Sequence, residues 1–137
     1  MKKFYEMEIW RKGYALLMRV YKLTSRYPSQ EKFGLVTQTN RSANSIIANT
    51  AEAHGRYYYK DKIKSLFQAR CECEETQSHL LVAKGLQYAL AEEIDSLVAD
   101  YEELMISINA WISDLHEQDM KQKSNKSPDS KSRISDL

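Results

Sequence analysis

Glycine and proline are scarce in this chain, with four and two among 137 residues. Strand signals are absent, whereas Leu, Ala, Glu, Lys, Gln and Met are frequent, so the composition favours helix. Cysteine is nearly missing. Cys71 and Cys73 are the only two, and two residues apart on a helix they point about 200° away from each other, so they neither pair nor share a metal there. They read as reduced, structural thiols. No apolar stretch approaches the roughly 20 residues of a membrane span. After Met1-Lys2-Lys3 the charges Glu6, Glu8, Arg11 and Lys12 leave no room for the apolar segment of a secretory signal. A cytoplasmic protein without a membrane partner is expected.

Catalytic signatures are lacking too. Gly-rich phosphate loops do not occur. A di-iron bundle needs Glu-x-x-His on two helices, but the nearest match, Glu75 and His79, is single and spaced by four. His54, His79 and His116 fall on different helices with no nucleophile partner and read as solvated or capping groups. Some helical-bundle ribonucleases use an Arg followed by a His five to seven residues later; no Arg here has such a partner. No catalytic residue, metal or cofactor is therefore expected.

One domain with its own core fits this length, since a domain near this size buries about two-thirds of the surface its unfolded chain exposes. Pro28, Gly55 and Gly85 each fall where a helical pattern stops. The apolar spacing predicts four helices. The first, about residues 6 to 27, carries Trp10, Gly13, Leu17, Val20, Thr24 and Tyr27 in steps of three and four, flanked by Ile9, Leu16 and Leu23 and, on the other side, Tyr14 and Tyr21. That stripe is wider than one core needs, which points to packing against a neighbouring subunit or to full burial in one bundle. The second, 31 to 54, is built on Leu35, Thr39, Ser42, Ile46, Asn49 and Ala53; the third, 59 to 84, on Leu66, Ala69, Cys73, Thr76, Leu80 and Ala83. The fourth, 91 to 117, keeps strict spacing through Ile94, Leu97, Tyr101, Leu104, Ile108, Trp111 and Leu115. Short connections make consecutive helices antiparallel neighbours, which gives an all-α, up-down-up-down four-helix bundle over 1–118. Residues 119–137, rich in Lys, Ser, Asp and Asn with Pro128, read as a disordered polar tail.

Formal charge is almost balanced overall but not along the chain. Residues 1–70 hold 14 Lys and Arg against five Asp and Glu, or +9, while residues 71–117 hold one base, Lys84, against 11 acids, or −10. A basic first half is either a nucleic-acid footprint or the sign of basic helices lying beside acidic ones, within or between subunits.

Two constellations stand out. Gln38, Arg41, Ser45, Asn49 and Glu52 form a polar stripe on the second helix. It is either a ligand site or a register-fixing network, because antiparallel geometry sets Arg41 within reach of Glu72 or Glu75 and Glu52 near Lys60 and Lys62. An enzyme using this stripe needs the Arg41 to Glu75 pair open to solvent. The second constellation is Arg56-Tyr57-Tyr58-Tyr59-Lys60-Asp61-Lys62-Ile63-Lys64, where three aromatics meet four cations at a helix start. Rings stack on unpaired bases while Lys and Arg neutralise phosphates. Alternatively the tyrosines pack on the bundle end and the lysines are solvated.

Several stretches have a recognisable combination: Ile9-Trp10-Arg11-Lys12; Val20-Tyr21-Lys22-Leu23-Thr24 leading to Tyr27-Pro28; Glu31-Lys32-Phe33-Gly34-Leu35 with Gln38; Asn40-Arg41-Ser42-Ala43; Ser45-Ile46; and Asn49-Thr50-Ala51-Glu52-Ala53-His54-Gly55-Arg56. Over about residues 4 to 115 the chain resembles the bacterial four-helix-bundle proteins encoded in intervening sequences of 23S ribosomal RNA genes. Thr50 and Ala53 stand where that family's Asn-Ile-Ala-Glu-Gly signature has Ile and Gly, and Cys71-Glu72 where it has Gly-Ser. The resemblance implies a homo-oligomer, usually a pentameric ring, with no established enzymatic activity. Related bundles that accompany diversity-generating retroelements form similar rings, bind nucleic acid and assist a reverse transcriptase. Two functions therefore compete: a ring that binds structured RNA or DNA, with Arg41, Arg56, Tyr57, Tyr58, Tyr59, Lys60, Lys62 and Lys64 as its contacts, and an interaction or scaffolding module held by complementary basic and acidic helices.

Overall fold

Four helices carry the chain: α1 (Glu8–Thr24), α2 (Leu35–Gly55), α3 (Tyr59–Gly85) and α4 (Ala91–Ser135), with single 3-10 turns at Phe4–Glu6 and Ser29–Glu31. The computed structural model describes residues 2–135, with side chains as far as Asn125. No strand occurs among the described residues. Helices α1 and α3 each pack on α2 and α4, so the four close into a bundle.

Cross-helix contacts set the direction of every neighbour. Between α2 and α3, Arg41 meets Glu75 and Ser42 meets Thr76, while further along α2 the carbonyls of Ala53 and His54 meet Lys62. Between α3 and α4, Arg70 meets Asn109, Gln77 meets Glu102 and Lys84 meets Asp95. On the closing side Arg19 meets Asp100 and Arg26 meets Glu93; between α1 and α2, Gly13 faces Ile47 and Thr24 bonds Asn40. In each pair one partner rises in number as the other falls, so all four contacts are antiparallel and the topology is up-down-up-down.

Most of the predicted seam positions form the core, while Trp10, Leu35, Asn49 and Trp111 are only partly buried. Leu17, Val20 and Leu23 of α1, Ile46 and Ala53 of α2, Leu66, Ala69, Cys73 and Leu80 of α3, and Ile94, Tyr101, Leu104 and Ile108 of α4 are all buried. Full burial of each large apolar side chain is worth roughly 1.5–3 kcal/mol before entropy is subtracted. Helix α2 contributes small polar groups, and these find partners: the Ser42 and Thr76 hydroxyls meet at 2.7 Å, and Thr24 donates to Asn40 Oδ1 at 2.9 Å. Such buried, satisfied pairs fix register. Cys71 is exposed and Cys73 buried, as helical spacing requires, and burial pushes the Cys73 thiol up to about 12.

Helix ends depart from the predicted ones for local reasons. Helix α1 stops at Thr24, where the Ser25 hydroxyl donates to the Lys22 carbonyl at 2.7 Å, and Pro28 follows. Helix α2 begins at Leu35 rather than 31 because Gly34 leaves helical backbone at φ −113°, ψ −107°. The residue in left-handed conformation after α3 is Gln87, at φ 60°, not Gly85. Its neighbour Tyr88 N–H donates to the Ala83 carbonyl, closing the helix end in the Schellman manner.

The largest difference lies at the carboxy-terminal side. The bundle was expected to end at 118, but residues 119–125 continue α4. Two i,i+4 pairs, Lys121 to Glu117 at 3.7 Å and Lys123 to Asp119 at 3.1 Å, support the extra turns. For the rest of the expected tail, 126–137, side chains lie outside the described residues.

Candidate functional site

Arg41 sits midway along α2, its Nη2 2.6 Å from Glu75 Oε1 and its Nη1 3.8 Å from Glu72 Oε2. The pair is open to solvent: the Arg41 and Glu75 side chains are 49% and 37% exposed, against 10% for Glu72. Glu72 Oε1 accepts from Gln68 at 3.1 Å, while its Oε2 is buried without a hydrogen-bond partner. Burial raises the Glu72 carboxyl above its ordinary range, and the neighbouring Glu75 raises it further. The adjoining Glu72 carboxyl holds Glu75 below its own range, helped by Arg41 and His79. On its other side Glu75 faces His79, whose Nε2 lies 3.5 Å from Glu75 Oε1.

The rest of the polar stripe stays local. Asn49 donates to the Ser45 carbonyl at 2.8 Å, and Gln38 is exposed. Glu52 was expected near Lys60 and Lys62, but it pairs with Arg56 one turn along its own helix. Lys62 Nζ is drawn instead to the last carbonyls of α2, donating to Ala53 O and His54 O at 3.1 and 3.0 Å. A cation there complements the negative end of the helix dipole, and its partial burial lowers the Lys62 pKa.

The aromatic-basic segment splits. Tyr59 packs against the core, whereas Tyr57 and Tyr58 are 87% and 66% exposed, their rings edge to face at 5.0 Å. Lys60 and Lys64 are exposed and make no ion pair among the described residues. Arg56 is tied to Glu52, Lys62 to α2, and Arg41 to the acids of α3, well along the bundle from the tyrosines. Of the eight contacts expected, the structure leaves Tyr57, Tyr58, Lys60 and Lys64 together and unengaged at one end.

Two features joining that end were not read from the sequence. The amino-terminal residues arrive there, since His54 Nε2 donates to the Lys2 carbonyl at 2.9 Å, which adds Lys2 and Lys3 to the basic end. The second is α4: its residues from His116 to Lys123 stand across from Tyr57, Tyr58 and Ile63 and bound a cleft of about 1130 Å³. Neither pairing has a periodic signal in the sequence, because each joins segments more than 50 residues apart.

Charges elsewhere are largely used within the chain. Arg19 to Asp100 and Arg26 to Glu93, both at 2.5 Å, and Lys84 to Asp95 at 2.8 Å tie basic positions to the acidic α4. Apolar surface remains on two faces. Tyr14, Met18 and Tyr21 are half-exposed along the outside of α1, and Leu81 and Val82 of α3 lie exposed in a shallow groove rimmed by Glu74 and Glu102. Among the described residues no group of three or more His, Cys, Asp or Glu is placed to hold a metal ion, and no helix is long and apolar enough to cross a membrane.

No curated protein matches the chain. A solved structure from Bacteroides thetaiotaomicron VPI-5482, a protein of unknown function from the S23 ribosomal protein family, is similar to it with 27% identity and a TM-score of 0.69, covering 76% of this chain and 97% of that one. The family model described as 23S rRNA-intervening sequence protein matches residues 5–110. Together with four antiparallel helices whose seams occupy those residues, this match shows that the chain belongs to the 23S rRNA-intervening sequence protein family.

Proposed function

We propose that this chain is a non-enzymatic subunit of a ring of identical copies, and that it binds structured RNA or DNA at the bundle end bearing Tyr57, Tyr58, Lys60 and Lys64. The observation that carries this reading is the pair of adjacent tyrosine rings left 87% and 66% exposed beside two lysines without ion pairs. Packing does not account for them, since Tyr59 alone joins the core. Rings facing solvent next to free cations match what a nucleic acid needs: a π-face for a base and a charge for its phosphate. The family's name, which connects its members to 23S rRNA intervening sequences, supports an RNA partner. The binding footprint is narrower than the basic first half implies, because Arg19, Arg26, Arg41 and Arg56 are spent on acids of the same chain.

Titration of a fluorescein-labelled RNA hairpin at 50 and 200 mM salt tests it. About four phosphate contacts, from Lys60 and Lys64 with Lys2 and Lys3 at the same end, predict a loss of roughly fifty- to 150-fold in affinity between those salts. Undetectable binding at the lower salt, or a Kd that ignores salt, would sink the reading.

Assembly is the second half of the proposal. Ion pairing within the chain uses much of the charge that a basic-to-acidic scaffold would need, so the apolar outside of α1 is the better adhesive. Set against the groove at Leu81 and Val82 of the next copy, it makes a head-to-tail contact of the kind that closes into a ring.

A further inference from the structure

Leu115 is the last core position of α4, yet the helix continues, and the family match stops at residue 110. The Bacteroides neighbour matches over 97% of its own length and 76% of this chain, and residues after 110 lie outside the family match. Past Leu115 no described side chain of the helix is buried. The helix stands there across from the tyrosine turn, and the two enclose the cleft of about 1130 Å³.

We propose that this cleft is a site for unpaired nucleotides, added to the family bundle by the extension of α4; the proposal rests on the nucleic-acid reading above and specifies which form of nucleic acid is held. The walls are suited to a base. Tyr57 and Tyr58 line it with exposed rings and Ile63 adds apolar surface, while Met120 on α4, itself largely exposed, supplies a soft thioether opposite. Inside the cleft Lys60 and Lys123 are offset by Asp61 and Asp119, with Asp119 3.1 Å from Lys123. A near-neutral interior repels no uncharged base, and its carboxylates accept hydrogen bonds from base amino groups, but it gives phosphates no net attraction. The phosphates are therefore held outside, where Lys64 has no acidic partner among the described residues. A duplex hides its base faces in the stack and has only phosphate and groove edges to offer, so the cleft discriminates in favour of single strands. At this volume, above the roughly 300–1,000 Å³ of small-molecule sites, it has room for more than one nucleotide.

The test uses the full chain, an unstructured fluorescein-labelled 10-nucleotide RNA, and the same strand annealed to its complement. Wild type is expected to bind the single strand at least tenfold more tightly than the duplex. Met120→Asp, which alters the α4 wall without touching the core, and Tyr58→Ala should each weaken single-strand binding at least fivefold and leave duplex binding unchanged; Tyr58→Phe, which keeps the ring, should bind as wild type does. Equal single-strand affinity in wild type, Met120→Asp and Tyr58→Ala, or a wild-type preference for duplex, overturns the cleft. If those variants are silent while Lys60→Glu/Lys64→Glu weakens both RNAs, the nucleic-acid reading survives and this proposal falls. Binding of neither RNA by wild type ends both.

Discussion

Glu72 shows how one side chain couples a fold to pH. It is buried, its Oε2 has no partner, and Glu75 sits beside it. A carboxyl raised in the folded state contributes stability below the ordinary carboxylate range and loses it as pH rises through the raised value. Glu75, held low, does the reverse: its contribution is present above that range and fades as pH falls through the depressed value. Glu72→Gln keeps the shape of the side chain without the buried charge beside Glu75. It should therefore raise Tm at pH 8 by about 4 °C, on the order of 1 kcal/mol, with the gain shrinking as pH falls toward 4. Thermal melts at several pH values check this, and a Tm difference that is constant or opposite in sign speaks against a raised Glu72 carboxyl. Gly13 is sensitive for a steric reason: a Cβ there would lie 2.4 Å from Ile47 Cγ2. Gly13→Ala should destabilise, because overpacking costs about 1–3 kcal/mol and helix propensity returns only about 1 kcal/mol; chemical denaturation would show a lower midpoint at unchanged slope. Gln87, at φ 60°, predicts the opposite sign. Relief of left-handed strain in Gln87→Gly should stabilise by about 1 kcal/mol, read from the same denaturation curves.

The elements divide by how much of their cause is local. Seam positions such as Leu66, Ala69, Cys73, Thr76 and Leu80 were legible because a period of three and four residues can only be buried on one side of a helix. Ends were less so. Nothing in the composition of Glu31-Lys32-Phe33 distinguishes a helix start from the 3-10 turn that forms; Glu31 Oε2 is taken by the Tyr88 hydroxyl at 2.7 Å, 57 residues away. The continuation of α4 went unread for a related reason. Residues 119–125 have no apolar period to report them, and the helix persists on charged i,i+4 pairs, each worth only tenths of a kcal/mol. The tyrosine turn is intermediate: its cations and rings are plain in the sequence, but which ring turns inward is decided by α3, whose first turn directs Tyr59 to the core and leaves Tyr57 and Tyr58 outside.

At the scale of the whole molecule, the question is what covers the outer apolar faces. Tyr14→Asp/Met18→Asp changes only half-exposed positions of α1, so it should leave the helical content intact while dissociating the assembly. Light scattering on wild type should give a multiple of the 16.0 kDa chain, five copies for the proposed pentameric ring, and a single copy for the variant; a monomeric wild type overturns the proposed assembly. The amino-acid sequence by itself determined the four helices, their seams and their antiparallel order, because periodicity and short connections are local properties of the chain. Only the tertiary structure decided which cations are free. Arg19, Arg26 and Arg41 look identical to Lys60 and Lys64 in a charge count, yet they form ion pairs with acids of another helix and the two lysines do not. Ion pairing depends on distances of a few ångströms between residues far apart in number, and those distances exist only once the bundle has closed.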